Sequence, residues 1–474
     1  MGGVERAEAE AIYDAGREVV VEVLLRMDRQ IGQLTARVEW LEREVRRNSR
    51  NSSRPPSSDP PGQRPAGREK GRSPRSQGAQ PGHEGRGREL LPAWAVDRVI
   101  EHWPDRCDCG HVFGESERVA VRGAARHQVE ELPEITTIVT EHQSQRVRCP
   151  ECGQEQTGKL PLAVAGSAFG PRLQAAVATL AVRNRISRRD SVELCAELFG
   201  ARISAGSADQ ILTRAADALE LPQEHLLDAL RRAGRINMDE TGWRLKGARR
   251  TLWGAFTDKL AVYRIAADRH QDRARELLAH SSAIVISDRW WAYNCLALHR
   301  RQICWSHLQR DFIAHAECGG AERELGEIGL SVCQEVFWAW EIYQHTGERK
   351  ELKRRIRRLR RELKPILRQY SSKAPRYKRS RGLARNLLKV WPALWTFAER
   401  RGVQPTNNHA ERALRAAVIY RKLSLGSQSQ TGERRIERLL SASTTCRLQR
   451  RSLFDYLSEL LAAHARGDPL PTLA

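Results

Sequence analysis

Apolar residues near the start of the chain recur at alternating spacings of three and four. They are Leu24, Met27, Ile31, Leu34, Val38, Leu41 and Val45, with charged residues between them. This is the a/d repeat of a coiled coil, sustained over about three heptads. The pattern predicts one long helix over residues 1–47 that associates with another copy of the chain. The alternative is an amphipathic helix packed on its own domain.

The periodicity is lost in residues 48–98, which are rich in Ser, Arg, Pro, Gly and Gln. Such a composition buries too little apolar surface to fold, so we expect a disordered tether. Helical periodicity returns in residues 161–230, over three short segments separated by Gly-containing turns. They are compatible with a helix-turn-helix DNA-binding region, although any small helical bundle would have a similar pattern.

From residue 231 the period changes to that of strands. Two apolar runs form a hairpin that turns at Asp258, a helix follows, and two further short strands come next. Three strands in a meander, then a helix and more strands, is the order of an RNase H-like core, here over residues 231–312. Residues 313–400 are predicted to be a basic helical insertion in that core. Residues 401–474 complete it with helices. The fold class is therefore multidomain α/β (α+β).

The charge indicates the partner. The formal net charge is +22 and the isoelectric point is about 10.1, which favours a polyanion and most plausibly nucleic acid. Residues 349–389 hold 18 Lys and Arg against two Glu. Such a run is usually a solvated helix face, but its length here predicts contact with a phosphate backbone. The candidate DNA contacts are Arg354, Arg357, Arg358 and Arg361.

Hydropathy gives no support for a membrane. The sequence has no run long enough to span a bilayer and no signal peptide's apolar core at its N-terminus. We therefore expect a cytoplasmic protein without a membrane partner.

Ten cysteines in a reducing compartment point to metal binding rather than to disulfides. Two close pairs, each followed by Gly, predict a structural Zn²⁺ module over residues 99–160, with strand-like residues 135–140 between the pairs. The first pair is one residue short of the usual spacing, so His102 or His111 is an alternative ligand. The predicted ligands are Cys107, Cys109, Cys149 and Cys152.

Three carboxylates carry the candidate chemistry. Asp239 and Asp288 each follow an apolar strand, and Glu411 lies near the start of a later helix. Together they would hold two Mg²⁺ or Mn²⁺ ions for an in-line phosphoryl displacement, with Asp239 bridging. Glu240 points to the opposite strand face and is a poor competitor. The alternative for Glu411 is a surface pair with Arg415.

Several motifs resemble the transposases of the insertion-sequence-66 family. They are Met238-Asp239-Glu240-Thr241-Gly242-Trp243, Ser287-Asp288 with Ala292-Tyr293, Cys304-Trp305-Ser306-His307-Leu308-x-Arg310, Asn407-Asn408-x-Ala410-Glu411-Arg412-x-x-Arg415, and the tether run from Asn48 to Asp59. The resemblance covers nearly the whole chain. It implies a DDE transposase whose RNase H-like core is interrupted by a helical insertion.

The resemblance also implies roles for single residues. The acidic triad carries onto Asp239, Asp288 and Glu411. The motif around the glutamate adds further supports of the metal site or DNA, which are Asn408, Arg412 and Arg415. His307 would lie near the scissile phosphate, or it is an ordinary strand-end histidine. Two departures from the family pattern are the shortened first Cys pair and Leu423, where Asn is expected.

The implied reaction is cleavage at transposon terminal inverted repeats to free 3′-hydroxyls, followed by strand transfer into target DNA. The resemblance implies a bacterial protein that is associated with the nucleoid. The expected partners are the transposon ends, target DNA, further copies of the chain and small accessory transposition proteins. The alternatives are a catalytically inactive DNA-binding relative and an RNase H-like metal nuclease without strand transfer.

Overall fold

The structure is a computed structural model that describes residues 6–46, 89–120 and 125–474. Most of the predicted tether, and the motif from Asn48 to Asp59 within it, lies outside these residues. The chain divides into two compact units. The smaller contains Ala66–Val139 and Glu197–Ala201, and the larger contains Met1–Pro65, Thr140–Ala196 and Arg202–Ala474.

The N-terminal segment forms two helices, so the prediction of one continuous helix was wrong. These are α1 (Arg6–Asp14) and α2 (Arg17–Arg46), separated at Gly16, whose φ of +104° interrupts helical geometry. The predicted seam lies on α2. Its residues from Leu24 to Leu41 are 43 to 65% exposed, so the described parts of the chain leave this seam uncovered. The side chain of Val45 lies outside the described residues.

The smaller unit contains little regular structure in its described part. It has 3₁₀ turns at Ala93–Ala95 and Glu115–Glu117 and an antiparallel bridge between Arg106 and Val112. The strand predicted over residues 135–140 was wrong, because these residues pair with no other described strand. Ile138 is 94% exposed, so its apolar run has no sheet to pack on. In the larger unit, β1 (Arg146–Arg148) and β2 (Glu155–Thr157) pair antiparallel.

The main sheet has five strands in the order β5-β4-β3-β6-β7. Strands β3 to β5 form an antiparallel meander, and β6 and β7 add in parallel beyond β3. The predicted hairpin around Asp258 is confirmed, and α8 (Gln271–Leu278) separates β5 from β6. The strands are β3 (Arg235–Leu245), β4 (Ala248–Phe256), β5 (Ala261–Ala266), β6 (Ile284–Ser287) and β7 (Arg301–Ile303). The result is a mixed α/β architecture.

The first core contains helices that precede the sheet in the sequence and helices near the C-terminus, together with residues of the strands. Ala178 and Ala215, each fully buried, pack with residues of the strands and of the C-terminal helices. Small residues at such positions let helices approach closely. The helices of this core are α4 (Pro171–Val182), α6 (Ala205–Ala218), α7 (Glu220–Arg231), α14 (Asn408–Ser424), α15 (Gln430–Leu448) and α16 (Leu453–Arg466), whereas α3 (Leu162–Ala165) and α5 (Arg188–Phe199) contribute no buried residue to it.

A second core contains the opposite face of β6 and the helices that follow β7. Val285 belongs to the first core and its neighbour Ile286 to the second, as the alternation of a strand requires. The helices are α9 (Trp305–Ala316), α10 (Ala321–Thr346), α11 (Arg349–Tyr370), α12 (Arg381–Lys389) and α13 (Thr396–Glu399). None of the described helices has an apolar stretch long enough to cross a bilayer.

Helices α9 and α10 lie unusually close together. Gly326 and Gly329 of α10 face α9, and a Cβ at Gly326 would collide with the backbone of Ala316. A Cβ at Gly329 would collide with the ring of Phe312. The two glycines therefore set the distance between these helices.

Candidate active site

The strand register brings two of the predicted carboxylates together. Strands β3 and β6 pair in parallel up to Asn237, which lies opposite Ile286. Continuing this register by two residues places Asp239 beside Asp288. Neighbouring residues of paired strands project from the same face, so both side chains point to one side of the sheet. Asp239 does not end its strand as predicted, because β3 continues with β4 as far as Leu245.

The environment of both aspartates disfavours their charged forms. Burial and the charge of Glu240 raise the pKa of Asp239 well above its usual value, and the charges of Asp288 and Glu411 add to this effect. Burial, followed by the charge of Glu240, raises the pKa of Asp288 to about 6. One backbone amide stabilises each ionised form, from Glu240 to Asp239 over 3.0 Å and from Trp290 to Asp288 over 2.9 Å. A bound cation would relieve the remaining repulsion.

Glu411 lies in the first turn of α14, and its carboxylate is held from α9. Arg310 donates from Nη2 to Glu411 Oε1 over 3.2 Å. His307 Nδ1 lies 3.5 Å from the same oxygen and has no hydrogen-bond partner among the described residues. Burial, followed by the charge of Arg310, lowers the pKa of His307 to about 3, so its ring is neutral near pH 7. The alternative pair between Glu411 and Arg415 is not formed in the described part of the chain.

The donor set has the chemistry of a magnesium site. Across residues 6–46, 89–120 and 125–474, no three His, Cys, Asp or Glu side chains already converge on a point that could hold a metal ion. The third carboxylate, Glu411, is instead paired with Arg310. Asp239, Asp288 and Glu411 supply only hard oxygen ligands, which suit Mg²⁺ or Mn²⁺. The crowding of negative charge around Asp239 is the observation that favours a cation here.

Glu240 has hydrogen-bond partners that the sequence did not reveal. Its side chain is 1% exposed, and it accepts hydrogen bonds from Arg269 and from the Tyr293 hydroxyl. The Arg269 guanidinium also lies over the ring of Trp290, 4.1 Å from its centre. Glu240 does lie on the opposite strand face from Asp239, as predicted. Through Tyr293, and through Arg269 over Trp290, Glu240 contacts the segment that follows Asp288. The only sign of this role in the sequence is that Glu240 is next to Asp239 in the motif.

The residues around Glu411 differ in what they contact. Asn408 accepts a hydrogen bond from Ser306 over 3.3 Å. Arg412 and Arg415 are exposed, and neither is paired with a carboxylate in the described residues. Leu423 is 64% exposed, so the departure from the family pattern at this position does not change a core contact.

Helix α11 carries the predicted basic contacts on its exposed face. Its apolar residues, from Leu352 to Leu367, are buried in the second core. Two of the exposed arginines are held by acids on the same helix. Arg354 pairs with Glu351 at 2.7 Å and Arg358 with Glu362 at 2.8 Å. The other two, Arg357 and Arg361, are not paired with any carboxylate that the structure describes.

The two cysteine pairs belong to different units, with Cys107 and Cys109 in the smaller and Cys149 and Cys152 in the larger. Backbone amides within each pair lower the pKa of Cys107 and of Cys149. Gly110 and Gly153 each adopt positive φ, as the predicted turns require. The described residues contain no assembled group of three or more such ligands, so the structure does not support the zinc site.

The two alternative zinc ligands make no metal group either. The ring of His111 lies 3.1 Å from Glu117, and the described residues place no metal-binding group around His102.

Comparison with known proteins finds two family models that match parts of the chain, and a relative in a bacterium. Residues 4–89 match a family of unknown function, DUF6444. A protein of Sinorhizobium fredii (strain NBRC 101917 / NGR234), named Uncharacterized protein y4hP, is 24% identical over 423 residues. These cover 80% of this chain and 74% of that protein.

The larger match covers the five-stranded sheet, helices α4 to α14 and all three candidate carboxylates. Residues 166–435, more than half of the chain, match the model of the transposase IS66 family. The chain therefore belongs to the transposase IS66 family.

Proposed function

We propose that this protein is a DDE transposase that binds the terminal inverted repeats of its element, frees their 3′ ends and joins them to target DNA. One observation carries the proposal. The register of β3 and β6, continued by two residues, brings Asp239 next to Asp288, and the charges of Asp288 and Glu411 both raise the pKa of Asp239. Three coupled carboxylates on a sheet and a nearby helix suit metal-assisted phosphoryl transfer.

The sheet supports an RNase H-like core as the catalytic scaffold. An antiparallel meander of three strands, extended in parallel by β6 and β7, has the order expected for that core. Helices α9 to α13 lie in sequence between β7 and α14, where a helical insertion over residues 313–400 would fall. Such an insertion separates the two aspartates from the glutamate in sequence, yet the charge of Glu411 still raises the pKa of Asp239.

We assign Asp239, Asp288 and Glu411 as the residues that hold two Mg²⁺ ions. When bound, the metal ions lower the pKa of the attacking water or 3′-hydroxyl and stabilise the leaving oxygen. Glu411 must leave Arg310 to join the other carboxylates. The released guanidinium of Arg310 is then free to bind a non-bridging phosphate oxygen, as arginine does well.

The chain's own residues also orient the reacting groups. Glu240 and Arg269 hold the loop after Asp288, in which the Trp290 amide donates to the carboxylate. His307 is neutral near pH 7 and presents an unpaired Nδ1 beside Glu411. In that form it positions the carboxylate or the DNA without adding charge.

DNA is expected along the basic face of α11. Exposed arginines three and four residues apart follow one stripe of a helix, about 1.5 Å of rise per residue, which suits a row of phosphates. Arg357 and Arg361 carry most of this role, because Arg354 and Arg358 are neutralised by Glu351 and Glu362. Arg412 and Arg415, both exposed on α14, add positive charge near Glu411.

Two ends must be held together for joining, and the exposed seam of α2 supports self-association. Six apolar side chains at a/d spacing remain 43 to 65% exposed on this helix. A parallel copy would bury them as knobs in holes. We propose that synapsis of the ends, in the cytoplasm at the nucleoid and with small accessory proteins where they are encoded, uses this contact.

A mobilisation assay in cells tests the function, with the DNA that flanks the gene as donor ends and the neighbouring genes supplied. Wild type is compared with Asp288→Asn and with a matched control, Asp258→Asn. Asp258 is a 74% exposed turn residue paired with Arg235. Wild type and Asp258→Asn should give integration products, and Asp288→Asn should lose at least about a thousandfold, the equivalent of about 4 kcal/mol.

Other outcomes select the alternatives. Binding to the ends without products from any variant would favour an inactive DNA-binding relative. Broken ends without joined products would favour a nuclease. Equal integration by wild type and Asp288→Asn would contradict the assignment of the metal site.

A further inference from the structure

We propose that Trp291 is a stacking platform for one unpaired nucleobase close to the scissile phosphate. The inference rests on the proposed function, since it requires a DNA end at the carboxylate site. It adds a ligand contact that the acidic triad does not supply.

Trp291 is exposed where tryptophan is normally covered. Its side chain is 44% exposed, although the next two residues, Ala292 and Tyr293, are fully buried. Among the described residues from 140 to 474, Trp338 is the other exposed tryptophan. Proteins that bind unpaired nucleic acid use accessible aromatic rings of this kind to stack bases.

The position of Trp291 in the chain ties it to the reaction centre. It lies three residues after Asp288, and its neighbour Trp290 donates its amide to the Asp288 carboxylate over 2.9 Å. Three residues span at most about 11 Å. A DNA strand rises about 3.4 Å per nucleotide, so the ring lies within about three nucleotides of a phosphate held at Asp288.

The ring is fixed before DNA arrives. It packs edge to face with His270 at 5.2 Å and lies 5.9 Å from Trp290. Trp290 lies under the guanidinium of Arg269, which is itself held by buried Glu240. A preformed aromatic surface stacks a base without paying to order its own side chain.

An unpaired base is the occupant that this geometry favours. Stacking on an aromatic side chain tolerates any base and requires only its flat face, which a paired base inside a duplex does not offer. The ring would stabilise a base that has left the duplex at the cut end.

Crosslinking tests the contact directly. Donor ends are prepared with 5-iodouracil at successive positions around the cleavage site, bound to the full-length protein with Ca²⁺ in place of Mg²⁺ and irradiated. A crosslink to Trp291 at one or two positions near the cut is expected. Trp338→Ala is the matched control, because Trp338 is 50% exposed but lies on α10 against Arg355.

Cleavage kinetics separate stacking from packing. Trp291→Phe keeps an aromatic ring. Trp291→Leu keeps an apolar side chain to pack on His270 but has no ring on which a base could stack. Cleavage by Trp291→Leu should fall about 5- to 150-fold, the loss of one stacked base. Trp291→Phe should retain most activity, and a mismatch at the crosslinked nucleotide should restore Trp291→Leu.

Two results would overturn the stacking role of Trp291 and leave the proposed function intact. One is wild type that cuts the ends without any crosslink to Trp291, and the other is Trp291→Leu that cuts as fast as wild type. A mismatch that fails to restore Trp291→Leu would assign the ring a packing role and would also overturn it. Wild type that neither binds nor cuts the ends would instead contradict the proposed function.

Discussion

Asn237 of β3 donates from Nδ2 to Oδ1 of Asn407, the residue that precedes α14, over 2.9 Å in the buried interior. Asn407 in turn donates from Nδ2 to the Met238 carbonyl over 2.7 Å. These bonds join the strand that carries Asp239 to the helix that carries Glu411. The spacing between the two carboxylates therefore depends on a pair of amide side chains.

Asn407→Ala should lower both stability and cleavage. It leaves the buried Asn237 amide without its acceptor, at a cost of about 1–3 kcal/mol. It also lets α14 shift relative to β3, and a displacement of about 1 Å at a reacting group can cost about 100-fold in rate. Thermal unfolding and end cleavage with Mg²⁺ measure the two effects.

Tyr263→Phe is the matched control, since the Tyr263 hydroxyl donates to the Ala413 carbonyl of the same helix over 2.8 Å but does not bridge α14 to β3. It should lose stability with little loss of cleavage by the folded fraction. Equal cleavage losses in Asn407→Ala and Tyr263→Phe would show that only helix stability matters.

Asp288 should make the metal-free protein less stable as pH rises. Its pKa is raised from 3.8 to about 6 in the folded state, so the folded protein binds the proton more tightly than the unfolded chain does. The stabilising effect is complete below about pH 4 and is lost as pH rises through about 6. Asp288→Asn should remove this contribution to the slope, leaving that of Asp239, whose pKa is also raised, and should raise stability at pH 7 to 8 by at most about 3 kcal/mol.

Thermal unfolding in EDTA from pH 4 to pH 8 measures the slope. Exposed Asp258→Asn should retain it. Adding Mg²⁺ should stabilise wild type more than Asp288→Asn, and an unchanged slope in Asp288→Asn would contradict the assignment of its raised pKa.

Arg310 should compete with Mg²⁺ for Glu411. The two side chains are paired at 3.2 Å, and a hydrogen bond between charged groups contributes about 1.5–3 kcal/mol. Arg310→Gln should therefore lower the Mg²⁺ concentration for half-maximal thermal stabilisation by about tenfold, while cleavage falls because the phosphate loses its guanidinium. Arg289→Gln is the control. It breaks a 2.8 Å pair with Asp311, which lies next to Arg310 on α9, and it should leave that Mg²⁺ concentration unchanged.

The unpaired arginines of α11 should dominate the salt dependence of DNA binding. Each phosphate contact contributes about 0.9 to the slope of log affinity against log salt. The double substitution of Arg357 and Arg361 by Gln should lower the slope by about 2. The same substitution of Arg354 and Arg358, which are held by acids on their own helix, should lower it less. Equal slopes for the two double variants would contradict the role of pairing.

The sequence predicted those features that local pattern controls. Asp239 and Asp288 could be selected as candidates because each follows an apolar run, and the hairpin at Asp258 could be predicted because its turn lies between two such runs. The partners of Glu240 could not be found, because Arg269 and Tyr293 come to it only when β3, β5 and β6 assemble.

The failures have equally physical causes. Residues 135–140 have the composition of a strand, but a strand needs a partner ladder, which the sequence pattern does not specify. The break at Gly16 depends on one backbone conformation inside a strong helical repeat. The pairing of Arg310 with Glu411 joins residues 101 positions apart, beyond the range of any periodicity.

The close approach of Gly326 and Gly329 to α9 has a consequence for engineering. Helix α9, which carries the Arg310 partner of Glu411, is in backbone contact with α10. Phe312 and Ala316 of α9 occupy the space that side chains at the two glycines would need. A DNA-binding insertion from another protein could not be grafted after α9 unless it brought glycines at the same two places. The module that could be transferred is thus the helix pair α9 and α10, and α9 carries with it Arg310, the partner of Glu411.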